Sequence, residues 1–202
     1  MPQYAEDLFD NIGLVNQKKD TVDLVFAGNI GEIQSVQTII EADEILQDNK
    51  NLFFHIVGGG TDLERLQNIV KQKNLNNVIF YGRRPVTEMP KYYAMADAML
   101  VTLADDSLLS LTLPGKVQSY MAAGKAIIGA IDGETKTIVE EAQCGFISKS
   151  GDSKALAESI LRFSSLSDED KELMGLKARM YYTNKFSKNM FFKVLKDCLL
   201  RL

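Results

Sequence analysis

The sequence predicts an α/β domain: an open, doubly wound parallel sheet of about six strands with helices on both faces. Three observations point there. Short apolar runs alternate along the chain with segments of helical period. Glycine-containing turns follow the runs at Gly28, at Gly58-Gly59-Gly60 and at Gly82. Leu52-Phe53-Phe54-His55-Ile56-Val57 is apolar on both faces, the pattern of a strand covered from both sides.

Residues 1–20 are polar and irregular and read as a lead-in rather than an element. Val22-Asp23-Leu24-Val25-Phe26-Ala27 is the first strand, ended by Gly28-Asn29-Ile30-Gly31. A helix is expected over 33–47, where Val36, Ile39, Ile40 and Leu46 recur at helical spacing. After the second strand, Thr61 and Glu64 form a capping box for a helix whose inner face is Leu63, Leu66, Ile69 and Val70. The third strand, 78–81, runs into Gly82-Arg83-Arg84-Pro85, and Thr87 is placed to cap a short helix through Tyr93. The fourth, 98–103, opens a long loop over 104–113.

Pro114 then starts a helix, since proline suits a first turn whose N–H would be unpaired anyway, and Gly124 stops it. Strands follow over 126–130 and 145–148, with a helix from about 134 to 143 between them. Asp152 or Ser153 caps a helix carrying Leu156, Ile160 and Phe163, and Ser167 with Asp170 opens another towards Phe186. Residues 187–202 form an amphipathic helix with Met190, Phe191, Val194, Leu195, Cys198, Leu199 and Leu202 on one face. Core packing is the ordinary use of such a stripe, and docking on another domain or a membrane surface is the sharper one.

Composition narrows the function. The chain has 202 residues, 46% hydrophobic and 25% charged, and its net charge of −4 argues against a broad nucleic-acid-binding face. One histidine rules out a histidine-rich metal site, and nothing forms a Ser-His-Asp or Cys-His arrangement. Cys144 and Cys198 lack metal-ligand spacing and are expected to be buried free thiols in a reducing compartment. No apolar run reaches the roughly 18–20 residues of a membrane span, and a cytoplasmic location is expected.

In open parallel sheets, ligands bind outside the carboxyl ends of the strands where strand order reverses. That gathers the loops at 28–32, 58–61, 82–87, 104–116 and 132–134 on one edge. Within them, Pro114-Gly115-Lys116 sets a cation beside the free N–H groups of a helix start, where phosphate can sit. An ordinary connection with a solvated lysine is the competing account. Arg83 and Arg84 suit phosphate or a planar base, or are simply solvated. Gly58-Gly59-Gly60 lacks dinucleotide-fingerprint spacing and reads as a tight turn with backbone contact to a ligand possible in principle. His55 reads as a satisfied core histidine. Asp105 and Asp106 could orient sugar hydroxyls, though loop solvation explains them as well, and no metal site is expected. Glu134 is explained by the dipole of the helix it begins.

In this order the pieces resemble the C-terminal, donor-binding domain of GT-B glycosyltransferases of the retaining family 4, a Rossmann-like half of a two-domain enzyme. They are Phe26-Ala27-Gly28-Asn29-Ile30-Gly31, Ile56-Val57-Gly58-Gly59-Gly60, Val78-Ile79-Phe80-Tyr81-Gly82, Tyr92-Tyr93-Ala94-Met95-Ala96-Asp97-Ala98, and Leu113-Pro114-Gly115-Lys116 through Tyr120-Met121-Ala122-Ala123-Gly124-Lys125. The last is similar to bacterial transferases of lipopolysaccharide and capsule synthesis, among them N-acetyl-L-fucosaminyl transferases. The resemblance implies a donor domain over 21–186, preceded by an inter-domain segment over 1–20 and a missing N-terminal acceptor-binding half.

It implies sugar transfer from a nucleoside diphosphate sugar, expected to be UDP-linked, to a lipid-linked or glycan acceptor. No cofactor or metal is implied, and the full-length enzyme is expected at the inner membrane face. The implied donor contacts are Gly28, Asn29, Gly58, Gly59, Arg83, Arg84, Ser110, Pro114, Gly115, Lys116 and Gln118, and no catalytic group is assigned. Asn29 and Gln34 stand where the family commonly has Arg and Lys; Ser110 and Gln118 stand at its two glutamates. These departures support a second expectation, a non-catalytic nucleotide-binding or assembly domain. A GT-B epimerase would need acid/base groups that the sequence does not place.

Overall fold

The computed structural model describes residues 4–9, 12, 19–105 and 113–200. Six strands, β1 (Val22–Ala27), β2 (Leu52–Val57), β3 (Val78–Gly82), β4 (Ala98–Thr102), β5 (Ala126–Ala130) and β6 (Gly145–Ser148), form a parallel sheet in the order β3-β2-β1-β4-β5-β6. The helices are α1 (Val36–Ile45), α2 (Leu63–Gln72), α3 (Met89–Met95), α4 (Gly115–Ala122), α5 (Glu134–Ala142), α6 (Ser153–Ser164), α7 (Asp168–Lys185) and α8 (Lys188–Leu199). The expected open, doubly wound sheet is present.

Alternation along β1 shows why both faces are covered. Leu24 and Phe26 enter the core that contains α1, α2 and α6, whereas Val25 and Ala27 enter the one built with α3, α4, α5 and α7. Burying each such leucine or phenylalanine stabilises the fold by roughly 1.5–3 kcal/mol. Strand order reverses between β1 and β4. There the ladder consists only of Leu24↔Ala98 and Val25↔Met99, while β1 pairs with β2 as far as Ala27↔Val57. The two central strands therefore part at their carboxyl ends, and a crevice opens between them.

Several local expectations change. The helix expected over 33–47 is a 3-10 turn, Glu32–Gln34, followed by Ser35 at φ 45° and then α1. The turn's carbonyls serve β4: Thr102 Oγ1 donates to Gln34 O at 2.6 Å and Ala104 N to Ile33 O at 2.9 Å. Thr61 and Glu64 make no capping box. Asp62 stands at that helix's N-cap, its N–H donates to Ile30 O at 3.1 Å, and its carboxylate accepts from Arg65 at 2.5 and 2.7 Å. Thr87 lies within a 3-10 turn, Val86–Glu88, whose N-cap is Pro85. Caps at Asp152 and Ser167 form as expected, accepting from Ala155 N at 2.9 Å and Asp170 N at 3.1 Å.

The chain ends need larger corrections. Within residues 1–20, Ala5, Phe9 and Ile12 are buried, Asp7–Phe9 is a 3-10 turn, and Phe9 stacks on Tyr93 with centroids 4.8 Å apart. These three residues are part of the core. The stripe on α8 is not: no residue of this helix is buried, and Leu199 is 62% exposed. Its attachment near the start is Phe191 edge-on to Tyr4 at 5.3 Å. Cys144 is buried as expected, whereas Cys198 is exposed. Among the described residues no helix is long and apolar enough to cross a membrane.

Candidate functional site

Two adjoining cavities occupy the carboxyl edge of the sheet. One, of about 400 Å³, is lined by Gly28, Asn29, Gly58, Gly59, Arg83 and Arg84 together with Met89. The other, of about 330 Å³, is lined by Gly28, Met89, Tyr93, Gly115, Lys116 and Gln118, together with Tyr4, Ala5, Glu6 and Phe9 from the start of the chain. Gly28 and Met89 belong to both, so the two make one elongated crevice.

The glycines divide by purpose. The loops after β1 and β2 are zipped together by Gly28 N to Val57 O at 2.9 Å and Ile30 N to Gly59 O at 2.9 Å. A Cβ on Gly58 would lie 1.8 Å from Gly28 O, and one on Gly60 2.2 Å from Ile30 O. Both residues also adopt positive φ, 152° and 159°. Loop packing alone thus demands glycine at 58 and 60. Gly28, at φ 153°, answers to a side chain instead: its Cβ would meet Lys116 Nζ at 2.7 Å.

Lys116 is the most unusual group of the crevice. Pro114 caps α4, and the helix's first turn carries Gly115 and Lys116. The residue as a whole is half-buried, but its Nζ is buried and has no hydrogen-bond partner among the described residues. It lies 4.1 Å from the centroid of the Phe26 ring, a cation–π contact that offsets part of its desolvation. Burial pushes its pKa down to about 8. A buried ammonium with no counter-ion among the described residues, at a helix N-terminus with free N–H groups, is an anion site by its electrostatics.

Around it the expected residues fall into place unevenly. Gln118 is buried on α4 and lines the second cavity. Arg84 is tethered, its Nε donating to Tyr81 O at 3.0 Å, while both Arg83 and Arg84 are exposed along the first cavity. Asn29 Nδ2 donates to Gln34 Oε1 at 2.9 Å, so two neutral amides bind each other where paired cations were the family expectation. Ser110 and Asp106 lie outside the described residues. Asp105 is exposed and faces Lys149 at 3.6 Å, an ordinary surface pair. Glu134 opens α5 exposed and lines neither cavity. His55 is a satisfied core histidine, with Nδ1 2.9 Å from Tyr81 Oη and Nε2 2.7 Å from Asp23 Oδ1. Among the described residues no three His, Cys, Asp or Glu side chains gather to hold a metal.

Sequence reasoning missed Met89 and Ser119, which line the crevice, and Phe26, which receives Lys116.

Comparison with known proteins agrees with this architecture. The family model "Glycosyl transferases group 1" matches residues 11–180. The probable glycosyltransferase WbjE of Pseudomonas aeruginosa is 28% identical over 137 residues, covering 67% of this chain and 34% of its own length. The amylovoran biosynthesis glycosyltransferase AmsK of Erwinia amylovora is 24% identical over 197 residues, covering 95% of this chain and 48% of its own. The chain therefore spans half or less of each of these relatives. Among solved structures, Anabaena Alr3699/HepE in complex with UDP and glucose superposes with a TM-score of 0.73 at 18% identity, over 91% of this chain and 49% of that one. With the reversed strand order, the glycine-zipped loops and a family match over most of its length, the chain belongs to the group 1 glycosyltransferases.

Proposed function

We propose that the crevice binds the nucleoside diphosphate of an activated sugar, UDP-linked, and that the chain is the donor-binding half of a transferase of cell-surface polysaccharide synthesis. The observation that carries this is the buried Lys116 ammonium, without a partner among the described residues, at the N-terminus of α4, facing Gly28 at the switch point. The diphosphate would lie there, the ribose near Gln118, and the base against Gly82, Arg83 and Arg84. Charge that grows on the leaving diphosphate as the glycosidic bond breaks would be met by fixed N–H groups and a cation already stripped of water. The sugar would pass to a lipid-linked or glycan acceptor held by a preceding half, at the cytoplasmic face of the membrane. Without that half the chain binds donor and turns over nothing.

Calorimetric titration with UDP at millimolar concentration tests the binding. Saturable heat that is weakened by Lys116→Met supports the site, and no binding of UDP, GDP or ADP sinks it. A second reading, a nucleotide-binding domain without transfer activity, is favoured by the neutral Asn29–Gln34 pair. Joining a relative's N-terminal half and assaying transfer separates the two.

A further inference from the structure

The carboxyl end of β1 lacks a strand partner on one side. Backbone groups of alternate residues face alternate neighbours. Gly28 N turns to β2, donating to Val57 O at 2.9 Å, so Ala27 turns its N–H and C=O towards β4. The β1–β4 register, however, ends at Val25↔Met99, two residues earlier. Left open, these two buried groups would cost roughly 1–3 kcal/mol each.

Tyr120, on α4, closes the gap with one hydroxyl. Its Oη accepts from Ala27 N at 3.2 Å and donates to Ala27 O at 3.0 Å. The phenol is fully buried and edge-on to Tyr93 at 5.4 Å, and Tyr93 in turn stacks on Phe9 at 4.8 Å, so the ring is held in place. Burial raises its pKa, which keeps it protonated and able to donate. Across the sheet, the end of β4 is engaged by the 3-10 turn through Gln34 O and Ile33 O, so β4 does not return to Ala27.

Tyr120 follows Lys116 by one helical turn. The helix that presents the ammonium thus also grips the residue before Gly28. We propose that Tyr120 is a positioning residue: its hydroxyl takes the place of β4 beside Ala27 and sets the distance between Gly28 and the α4 N-terminus at which a diphosphate is held. A tyrosine that only filled the core would be replaced by phenylalanine at no cost to the site. This role builds on the nucleotide site proposed above.

Tyr120→Phe keeps the ring and removes the hydroxyl. UDP affinity is expected to fall about tenfold and UMP affinity by less than about twofold, because the second phosphate alone depends on the Gly28–Lys116 spacing. Lys116→Met should show the same split, and adding Tyr120→Phe to it should cost nothing further. Equal losses for UDP and UMP, or additive losses in the double variant, would overturn the role. A wild-type chain that binds neither nucleotide refutes the nucleotide site instead. The positional role is then decided by amide hydrogen exchange in the free protein. The Ala27 amide should be as protected as that of Val25, and Tyr120→Phe should speed its exchange about tenfold relative to Val25. An Ala27 amide that exchanges freely in the wild type, or that Tyr120→Phe leaves unchanged, overturns it. The wild-type measurement also decides the matter if the variant does not fold.

Discussion

Lys116 Nζ rests 4.1 Å from the centre of the Phe26 ring, and the space it uses exists because residue 28 has no Cβ. A helix-start cation, an aromatic at a strand end and a glycine turn are thereby one device. The ammonium is buried and has no partner among the described residues, ready for an anion from the crevice.

This arrangement has a pH signature. Lysine ordinarily titrates near 10.5, and burial lowers Lys116 to about 8. The folded free protein therefore sheds this proton between about pH 8 and 10.5 while the unfolded chain keeps it, and the contribution of Lys116 to stability improves as pH rises through that window. A bound diphosphate reverses the shift. UDP binding at pH 8.5 should take up protons, seen as different calorimetric heats in buffers of different ionisation enthalpy, and affinity should fall as pH rises above 8. At pH 7, Lys116→Met should stabilise the free protein by about 1–2 kcal/mol, the relieved desolvation less the lost ring contact, while weakening diphosphate binding about tenfold. A variant that is both less stable and still binds would contradict this account.

The glycines should separate by variant. Gly28→Ala must push the ammonium from its seat and also strains φ 153°, so UDP affinity should drop by tenfold or so while denaturation shows a loss of about 1–2 kcal/mol. Gly58→Ala meets the backbone of Gly28 at 1.8 Å and cannot be relieved by a side chain moving. It should cost about 4 kcal/mol or prevent folding. Comparable stability losses in the two variants would mean that Gly28 serves loop packing as well.

How much was legible follows from the kind of signal. The strands were, because a strand buried on both faces is apolar throughout and ends at a turn that needs glycine. Helix starts were not, where tertiary partners claimed the groups: Asp62 is drawn to Ile30 and Arg65, and Gln34 O to Thr102. Periodicity showed that α8 has an apolar face but could not say what covers it. Lys116 was readable from its place after Pro114-Gly115. Phe26 was not, since a phenylalanine in a strand looks like core whether or not a cation sits on it.

Helix α8 contributes little to the domain by this accounting. It buries no residue, and it meets the start of the chain through Phe191 and Phe192 against Tyr4 and through Lys188 against Asp7 at 3.3 Å. Deleting residues 188–202 should lower the thermal midpoint by only a few degrees and leave UDP binding unchanged. A collapse of the circular dichroism spectrum would show that the helix is needed for folding.

Asp43 offers the reverse case of a charge that works against the fold. It sits fully buried on α1, with Oδ1 accepting from Asn77 Nδ2 at 2.6 Å and Oδ2 buried without a partner among the described residues. Burial raises its pKa from 3.8 to about 6, against the weaker pull of Asn77 and Lys50. The folded state therefore holds a proton that the unfolded chain has released between about pH 4 and 6, and stability falls as pH rises through that window before levelling off. Asp43→Asn keeps the shape and the bond to Asn77 but cannot ionise. Denaturant unfolding should show it about 1–2 kcal/mol more stable than the wild type at pH 8 and nearly equal at pH 4. A gain of the same size at both pH values would assign the effect to packing rather than to the buried charge.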